Sequence, residues 1–242
     1  MPNRTLLFGE GLFETIRWRP KEEKLKLHYQ RLSSSADYLG IPCPSYEEFK
    51  KALEKATLGC DELYVKYLLI SKGKKALTDR PEGYKGLIIK GILGPQPERV
   101  RLIFSSFRRH SSDPVCRHKT TSYLFNLMVK KEAKAKGMYD GLILNEKEEL
   151  CETSTANLLL LKGSRLYTPA KECGLLWGTT LELLSKRMDI KEERIKLRDM
   201  EKCDSIFVLN SLLLCSGVEG IGDESRAVDG EALREILKVL SQ

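Results

Sequence analysis

Apolar positions along the chain follow two spacings, and the spacing changes from one segment to the next. Where apolar and polar residues alternate, or form short runs between turn residues, the pattern predicts a strand. These segments are Leu12–Trp18, Leu63–Leu69, Leu87–Leu93, Val100–Ser106, Gly141–Asn145, a strand through Leu150, Asn157–Leu161, Leu166–Thr168 and Ser205–Leu209. Where apolar residues recur three or four positions apart, the pattern predicts a helix. These segments are Tyr29–Leu39, a helix capped by Ser45 and reaching Ala56, Tyr123–Lys136, Thr179–Met188 and Gly230–Leu240.

The segment Phe107–Lys119 has neither spacing. It is polar and basic, and it contains the pair Asp113-Pro114. Because domain boundaries fall in exposed polar stretches, we expect a linker here. The chain is therefore predicted to be an α/β protein with a small N-terminal domain over residues 1–107, a linker over 108–118 and a larger domain over 119–242.

Composition places the chain among ordinary globular proteins. Apolar residues make up 41% and charged residues 31% of its 242 positions, which is enough chain to bury a sizeable core. No apolar run approaches the roughly 18 residues of a membrane helix, and the N-terminus lacks the apolar stretch of a signal peptide. We therefore expect a cytoplasmic protein that does not bind membranes. The 7 scattered cysteines and 3 histidines indicate reduced thiols and no metal site.

The net charge of +7 leaves three readings open: nucleic acid, anionic small molecules, or a solvated surface. Basic residues are interleaved with acidic ones and are not interleaved with aromatic ones, so a nucleic-acid surface is not indicated. The exception is the stretch Arg108–Lys119, which is locally dense in positive charge.

Two short segments carry side chains suited to covalent and acid–base chemistry. The first is Lys119–Tyr123, a lysine followed by three hydroxyls and a tyrosine where the linker meets a helix. A single lysine is most often a surface residue. The second is Glu152, which lies between apolar strands, so that a half-buried carboxylate in need of a partner is expected as well as an exposed turn.

Two further segments are suited to binding an anion. Gly178-Thr179-Thr180 opens a predicted helix, and helix starts bind phosphate, although simple capping is commoner. Asn210-Ser211 interrupts the end of an apolar strand, where a turn is the simplest explanation. Lysine, carboxylate and phosphate ligands are together what pyridoxal 5'-phosphate (PLP) requires of a protein.

The ordered set of motifs resembles the fold-type IV family of PLP enzymes. The similarity runs from Phe8–Thr15 to Gly217–Gly220 and therefore covers nearly the whole chain. The family includes branched-chain aminotransferases, D-amino-acid aminotransferases and 4-amino-4-deoxychorismate lyases. The resemblance implies a smaller N-terminal α/β domain, a larger, mostly-β, barrel-like C-terminal domain with helices, and a homodimer.

The resemblance also implies a role for individual residues. Lys119 is the catalytic residue and holds PLP as a Schiff base, and Tyr123 lies beside the phenolic oxygen of the cofactor. Glu152 faces the pyridine nitrogen, and Asn157 holds the turn behind Glu152. The phosphate ligands implied are Arg31 of the His-x-x-Arg-Leu element, Thr179, Thr180 and Ser211.

Three positions depart from the usual pattern of the family. Glu10 replaces the Asp of Gly-Asp-Gly, and Thr153 replaces the Gly that follows the pyridine carboxylate. The helix start reads Gly178-Thr179-Thr180-Leu181 and not Gly-Ile-Thr-Arg. These changes affect the phosphate and loop contacts and leave the lysine and the carboxylate in place.

The turn Asn210-Ser211-Leu212 resembles that of the lyase branch, whereas the aminotransferases carry a turn that grips the α-carboxylate. The implied activity is release of pyruvate and 4-aminobenzoate from 4-amino-4-deoxychorismate, a step of folate biosynthesis. A branched-chain or D-amino-acid aminotransferase is the alternative, and a non-catalytic basic binding protein is a third. The lyase substrate is a dicarboxylate, so cations are expected near it. The candidate substrate ligands are Arg108, Arg109, Arg117 and Asn210.

Overall fold

The computed structural model describes residues 3–20 and 22–241. The chain divides into two compact units, the first containing the described residues of Met1–Pro95 together with His118–Tyr123, and the second Gln96–Arg117 with Leu124–Gln242. This division differs from the predicted boundary after residue 107. The strand Arg99–Arg109 continues into the predicted linker and belongs to the second unit. The sequence did not show this continuation, because charged residues at the end of the strand obscure its alternating pattern.

The first unit combines a three-stranded antiparallel sheet with helices. Its elements are α1 (Arg4–Phe8), β1 (Gly11–Trp18), α2 (Leu25–Leu39), α3 (Tyr46–Ala56), β2 (Leu63–Gly73) and β3 (Pro81–Gly91), with the strands in the order β1-β2-β3. Alternate residues of β1, namely Leu12, Ile16 and Trp18, pack in one core with Leu32 of α2 and Phe49 of α3. The period-2 pattern of β1 therefore places its apolar face against the helices.

Local signals in the sequence fix both long helices of the first unit. The side chain of Ser45 accepts from the N–H of Glu48, whose carboxylate bonds back to Ser45, so the predicted capping box is confirmed. Helix α2 begins at Leu25, four residues before the predicted Tyr29, and ends at Leu39 before Gly40, as the sequence predicted.

The second unit is built on a nine-stranded mixed sheet. Its elements are β4 (Arg99–Arg109), α4 (Leu124–Ala135), β5 (Asp140–Asn145), β6 (Leu150–Thr153), β7 (Asn157–Lys162), β8 (Arg165–Pro169), α5 (Thr179–Ser185), β9 (Ile190–Glu193), α6 (Leu197–Met200), β10 (Ser205–Asn210), β11 (Leu214–Ile221), β12 (Glu224–Ser225) and α7 (Gly230–Leu240). Strands follow the order β6-β5-β4-β11-β10-β7-β8-β9, with β12 beside β11. The fold class expected from the sequence, a mixed α/β protein with a larger, mostly-β unit, is confirmed.

Strand β11 was not predicted, although it is central to the larger sheet. It pairs with β10 in antiparallel and with β4 in parallel register, and its register shifts between Val218 and Gly220. Helix α5 ends at Ser185, short of the predicted Met188. In the part of the chain that is described, no helix is both long enough and apolar enough to cross a membrane.

Candidate functional site

The segment that carries Lys119 lies along β1 of the first unit and is held by backbone hydrogen bonds. The N–H of Phe13 donates to the carbonyl of Lys119 (2.9 Å), and the N–H of Thr121 donates to the carbonyl of Gly11 (2.8 Å). A side chain at Gly9 would place its Cβ 2.0 Å from Ser122 Oγ, so glycine permits this close approach. Backbone bonds from β1 and the close approach at Gly9 therefore fix the segment from Lys119 to Ser122.

Aromatic rings surround the amine of Lys119. Its Nζ lies 4.5 Å from the ring centroid of Phe13 and 5.4 Å from that of Tyr123. The two rings meet edge to face with centroids 5.1 Å apart. On the other side of the lysine, His118 stacks on Tyr38 at 4.4 Å. The side chain of Lys119 is thus ordered by its neighbours, as a residue that forms a covalent bond to a ligand requires.

Arg31 is held by a carboxylate that the sequence did not identify as functional. Its Nε and Nη2 donate to the two oxygens of Glu14, at 2.9 and 2.5 Å. His28 Nδ1 lies 2.6 Å from the same carboxylate. A signal for Glu14 exists in the sequence, since it occupies a core-facing position of β1 between Leu12 and Ile16.

Burial and charge set the protonation of this cluster. Burial alone would raise the pKa of Glu14, but Arg31 and the hydrogen bond from His28 lower it to about 2. Burial lowers the pKa of His28 to about 4, against the opposing effect of Glu14. Glu14 is therefore ionised and His28 neutral at pH 7, and His28 Nδ1 carries the proton that Glu14 accepts.

In the second unit Glu152 forms a buried ion pair with Arg109, in which each side chain is 7% exposed. Burial opposes the charge on Arg109, but Glu152 raises the pKa of Arg109 above its ordinary value. Arg109 also reaches Asn126 Oδ1 (3.4 Å), and Asn126 Nδ2 donates to the carbonyl of Ser154 (2.7 Å). Arg109 was predicted to bind a substrate carboxylate, and the structure pairs it with a carboxylate of the protein.

Asp140, at the start of β5, organises the turn that follows Glu152. Its carboxylate accepts from the hydroxyls of Thr153 (3.1 Å), Ser154 (2.5 Å) and Thr155 (2.9 Å). Asp140 is fully buried, so these three hydroxyls offset the loss of its hydration. The hydroxyl run after Glu152 thus has a structural partner that the sequence did not reveal.

Asn157 fixes the segment that leads into α5. Its Nδ2 donates to the carbonyl of Leu176 (2.8 Å), and its Oδ1 accepts from the N–H of Gly178 (3.0 Å). A Cβ at Gly178 would lie 2.2 Å from Asn157 Oδ1, so only glycine fits. The resemblance assigned Asn157 to the turn behind Glu152, whereas its amide holds the approach to α5.

Thr179 and Thr180 are both buried at the start of α5. Among residues 3–20 and 22–241, no hydrogen-bond partner is present for Thr180 Oγ1. A buried hydroxyl without a partner is costly, so its retention indicates a ligand that supplies the missing bond.

The turn between β10 and β11 is closed by the side chain of Asn210. Its Oδ1 accepts from the N–H groups of Leu212 (3.0 Å) and Leu213 (2.8 Å). Leu214 has a φ of 63°, which is strained for a bulky side chain. Both amides are thus engaged within the protein, and Ser211 is held half-buried at the tip of the turn.

The remaining predicted cations lie at the surface of the second unit. Arg108 is exposed and pairs with Glu148 at 3.2 Å. Arg117 is exposed at the end of a short 3-10 turn. The predicted residues therefore fall into two groups. The first unit holds Arg31, Lys119 and Tyr123, and the second holds Arg108, Arg109, Arg117, Glu152, Asn157, Thr179, Thr180, Asn210 and Ser211.

Known proteins match this chain over nearly its full length. A family model described as amino-transferase class IV matches residues 11–221. A probable branched-chain-amino-acid aminotransferase of Rickettsia felis is 28% identical over 251 residues, covering 97% of this chain and 86% of the relative. A putative 4-amino-4-deoxychorismate lyase of Legionella pneumophila superposes with a TM-score of 0.89 at 28% identity, covering 99% of this chain and 93% of that one.

A branched-chain amino acid aminotransferase from T.th., solved with pyridoxamine 5'-phosphate, has the same fold. Its TM-score is 0.89 at 20% identity, covering 99% of this chain and 86% of that one. The family model spans β1 to β11 and includes every predicted site residue. The chain therefore belongs to the class IV aminotransferase family.

Proposed function

We propose that this protein is a PLP-dependent lyase that releases pyruvate and 4-aminobenzoate from 4-amino-4-deoxychorismate. Membership of the class IV family makes it an enzyme of PLP chemistry, and a relative of the same fold carries pyridoxamine 5'-phosphate. The step from the family to the lyase rests on the turn at Asn210.

The residues present fit the cofactor by their chemistry. The buried hydroxyl of Thr180, which has no hydrogen-bond partner among the residues that the structure describes, is suited to a phosphate oxygen, as is the guanidinium of Arg31. Lys119 offers an amine ordered by two rings. Glu152 offers a buried carboxylate paired with Arg109, and a protonated pyridine nitrogen needs a carboxylate as its partner.

Bound PLP supplies an electron sink that stabilises a carbanion next to the substrate nitrogen. The amine of Lys119 would take up the proton from the amine-bearing ring carbon of the substrate, and it must be neutral to do so. Glu152 holds the proton on the pyridine nitrogen, and Arg109 keeps that carboxylate in place. Arg31 in the first unit, and Thr180 with the segment that Asn157 fixes in the second, would each offer donors to the phosphate, and a held phosphate would orient the reacting carbon.

The observation that carries the choice of lyase is the closed turn after β10. In the aminotransferases that this chain resembles, the corresponding turn grips the α-carboxylate of the amino acid. In this chain the N–H groups of Leu212 and Leu213 already donate to Asn210 Oδ1. A carboxylate would have to displace that side chain to use them, so the turn in this conformation does not grip an α-carboxylate in the way that the resemblance implies for the aminotransferases.

A branched-chain or D-amino-acid aminotransferase is the second candidate, favoured by the name of the Rickettsia felis relative. The two activities differ in their need for an acceptor. The PLP-loaded protein should form pyruvate and 4-aminobenzoate in equal amounts from 4-amino-4-deoxychorismate with no keto acid present. Amino transfer from leucine or D-alanine to 2-oxoglutarate, without pyruvate from the chorismate derivative, would reverse the assignment.

The covalent role of Lys119 has its own test. Borohydride reduction of the PLP-loaded protein should leave the label on Lys119, and Lys119→Ala should abolish both the label and the activity. Lys50, which pairs with Glu54 on helix α3 of the same unit, is a suitable control because it lies outside the proposed site. Full activity in Lys119→Ala would contradict the proposal.

We also propose that the protein is a cytoplasmic homodimer with domains near residues 1–107 and 119–242, as the family resemblance and the sequence imply. Sedimentation at equilibrium tests the dimer, since a monomeric mass at micromolar concentration would exclude it. Limited proteolysis tests the domains, because cleavage should concentrate between them.

A further inference from the structure

Strand β1 carries a carboxylate on a face that is otherwise apolar. Leu12, Ile16 and Trp18 face the core of the first unit, and Glu14 lies between them with no exposed surface. Removing a carboxylate from water costs several kcal/mol unless charge and hydrogen bonds replace the lost hydration. A buried acid at this position therefore has to be explained by its partners.

Helix α2 supplies both partners from one face. His28 and Arg31 are three residues apart, so their side chains project to the same side of the helix. Arg31 donates through Nε and Nη2 to the two oxygens of Glu14, and His28 donates to Oε2. The carboxylate accepts both hydrogen bonds along one edge of the planar guanidinium, and this two-point contact fixes the orientation of the guanidinium as well as its position.

In the cluster of Glu14, His28 and Arg31, the charges of Glu14 and Arg31 offset each other and His28 adds none. Glu14 is ionised and His28 is neutral, so the single positive charge of Arg31 is matched within the protein. Arg31 remains 14% exposed, and Glu14 engages one edge of its guanidinium. An arginine side chain that is not held in place loses rotamer entropy when it binds a ligand. Glu14 removes that cost in advance.

Phe13, the residue before Glu14 in β1, contacts Lys119 through its backbone and its ring. The N–H of Phe13 donates to the carbonyl of Lys119, and its ring lies 4.5 Å from Lys119 Nζ. Two consecutive residues of β1, pointing to opposite faces, thus order the lysine and the arginine.

We infer that Glu14, supported by His28, is a positioning residue that orients Arg31 toward the phosphate of the cofactor. This rests on the proposed function, which assigns Arg31 to that phosphate. The prediction is specific: loss of the Glu14 charge weakens binding of the phosphate group and leaves binding of the rest of the cofactor unchanged.

The simpler alternative is that the cluster only ties α2 to β1. A second ion pair in the same unit provides the matched comparison. Arg4 is 3% exposed, and its partner Glu10 directly precedes β1. Glu10→Gln and Glu14→Gln each remove the carboxylate partner of one arginine in the first unit, Arg31 being 14% exposed. A purely structural role predicts that the two variants behave alike.

The experiment compares PLP with pyridoxal, which lacks the phosphate. Affinities of both probes for the apo protein are measured by absorbance titration, and the ratio of the two isolates the phosphate contribution. Glu14→Gln should reduce the ratio about tenfold or more, by analogy with the roughly ten- to hundredfold loss seen when the outer partner of a metal ligand is removed. Glu10→Gln should leave the ratio within about twofold of the wild type.

Each outcome decides the matter. An unchanged ratio in Glu14→Gln, or an equal fall in Glu10→Gln, would overturn the positioning role while the lyase assignment stands. A wild-type protein that binds PLP no better than pyridoxal would overturn the cofactor assignment as well.

If Glu14→Gln does not fold, which far-ultraviolet circular dichroism reports, substitutions at His28 decide instead. His28→Leu removes the donor to Glu14, whereas the amide of His28→Asn can occupy the place of Nδ1. The PLP-to-pyridoxal ratio should fall several-fold in His28→Leu and recover in His28→Asn. Equal ratios in the two variants would overturn the inference.

Discussion

Replacing Thr180 by valine should stabilise the apo protein and weaken its response to PLP. Thr180 is 1% exposed, and within the described residues its hydroxyl has no hydrogen-bond partner. Valine has nearly the same shape and replaces the hydroxyl with a methyl group. Since an unpaired buried polar group costs about 1–3 kcal/mol, Thr180→Val should raise the free energy of unfolding by about 1 kcal/mol. For a chain of 242 residues that is a rise in Tm of about 2–4 °C.

Thr168 provides the control. It is also 1% exposed and lies in the same unit, but its hydroxyl donates to the carbonyl of Leu158 at 2.8 Å. Thr168→Val should therefore lower the free energy of unfolding by about 1 kcal/mol, the ordinary value of such a bond. The same chemical change at equal burial is thus expected to have opposite signs.

Urea unfolding of the apo proteins measures the first effect, and thermal unfolding with saturating PLP measures the second. PLP should raise the Tm of the wild type more than that of Thr180→Val, because the wild-type hydroxyl reaches a phosphate oxygen and tighter binding stabilises more. If Thr180→Val loses as much stability as Thr168→Val, the hydroxyl is paired in solution and the reasoning fails.

Three further predictions concern stability. Arg109→Met should lower the free energy of unfolding by about 3–5 kcal/mol, because Glu152 loses its buried guanidinium partner. The double variant Arg109→Met with Glu152→Leu should recover most of this loss, as measured by urea unfolding. Gly178→Ala should lower the Tm, because its Cβ would lie 2.2 Å from Asn157 Oδ1. In a double-mutant cycle, the fall in Tm caused by Gly178→Ala should be smaller in the Asn157→Ala background than in the wild type. Acid should destabilise the fold between pH 6.5 and about 4, because the pKa of His28 falls from 6.5 to about 4 on folding and only the unfolded state takes up the proton. The loss is on the order of 3 kcal/mol, and a flat urea midpoint over this range would contradict it.

The sequence by itself determined the elements whose signals are local. The capping box at Ser45 and the apolar stripe of Gly230–Leu240 depend on residues a few positions apart, so both helices follow from the chain alone. The order of motifs from Gly11 to Gly220 likewise identified the family, because a set of spacings is far more specific than any one of them.

Only the tertiary structure decided which buried charges are partners. Glu14 meets Arg31, and Glu152 meets Arg109, across distances in sequence that carry no periodic signal. Arg109 looked like a substrate ligand because its charge was visible in the sequence and its partner was not. The same holds for β11. Its glycines and its register shift obscure the alternating pattern in the sequence, and the strand is defined by its pairing with β10 and β4.

The hydroxyl of Thr180, which is unpaired within the part of the chain that the structure describes, is a further example. A sequence shows that a threonine opens a helix, but whether its hydroxyl is satisfied depends on every atom around it in the folded chain. The spacing of residues close in sequence determines the helices and strands with local signals, and the order of the motifs identifies the family. Pairing and burial are decided by packing between residues that are distant along the chain, and the proposed functions of Glu14 and Thr180 follow from that packing.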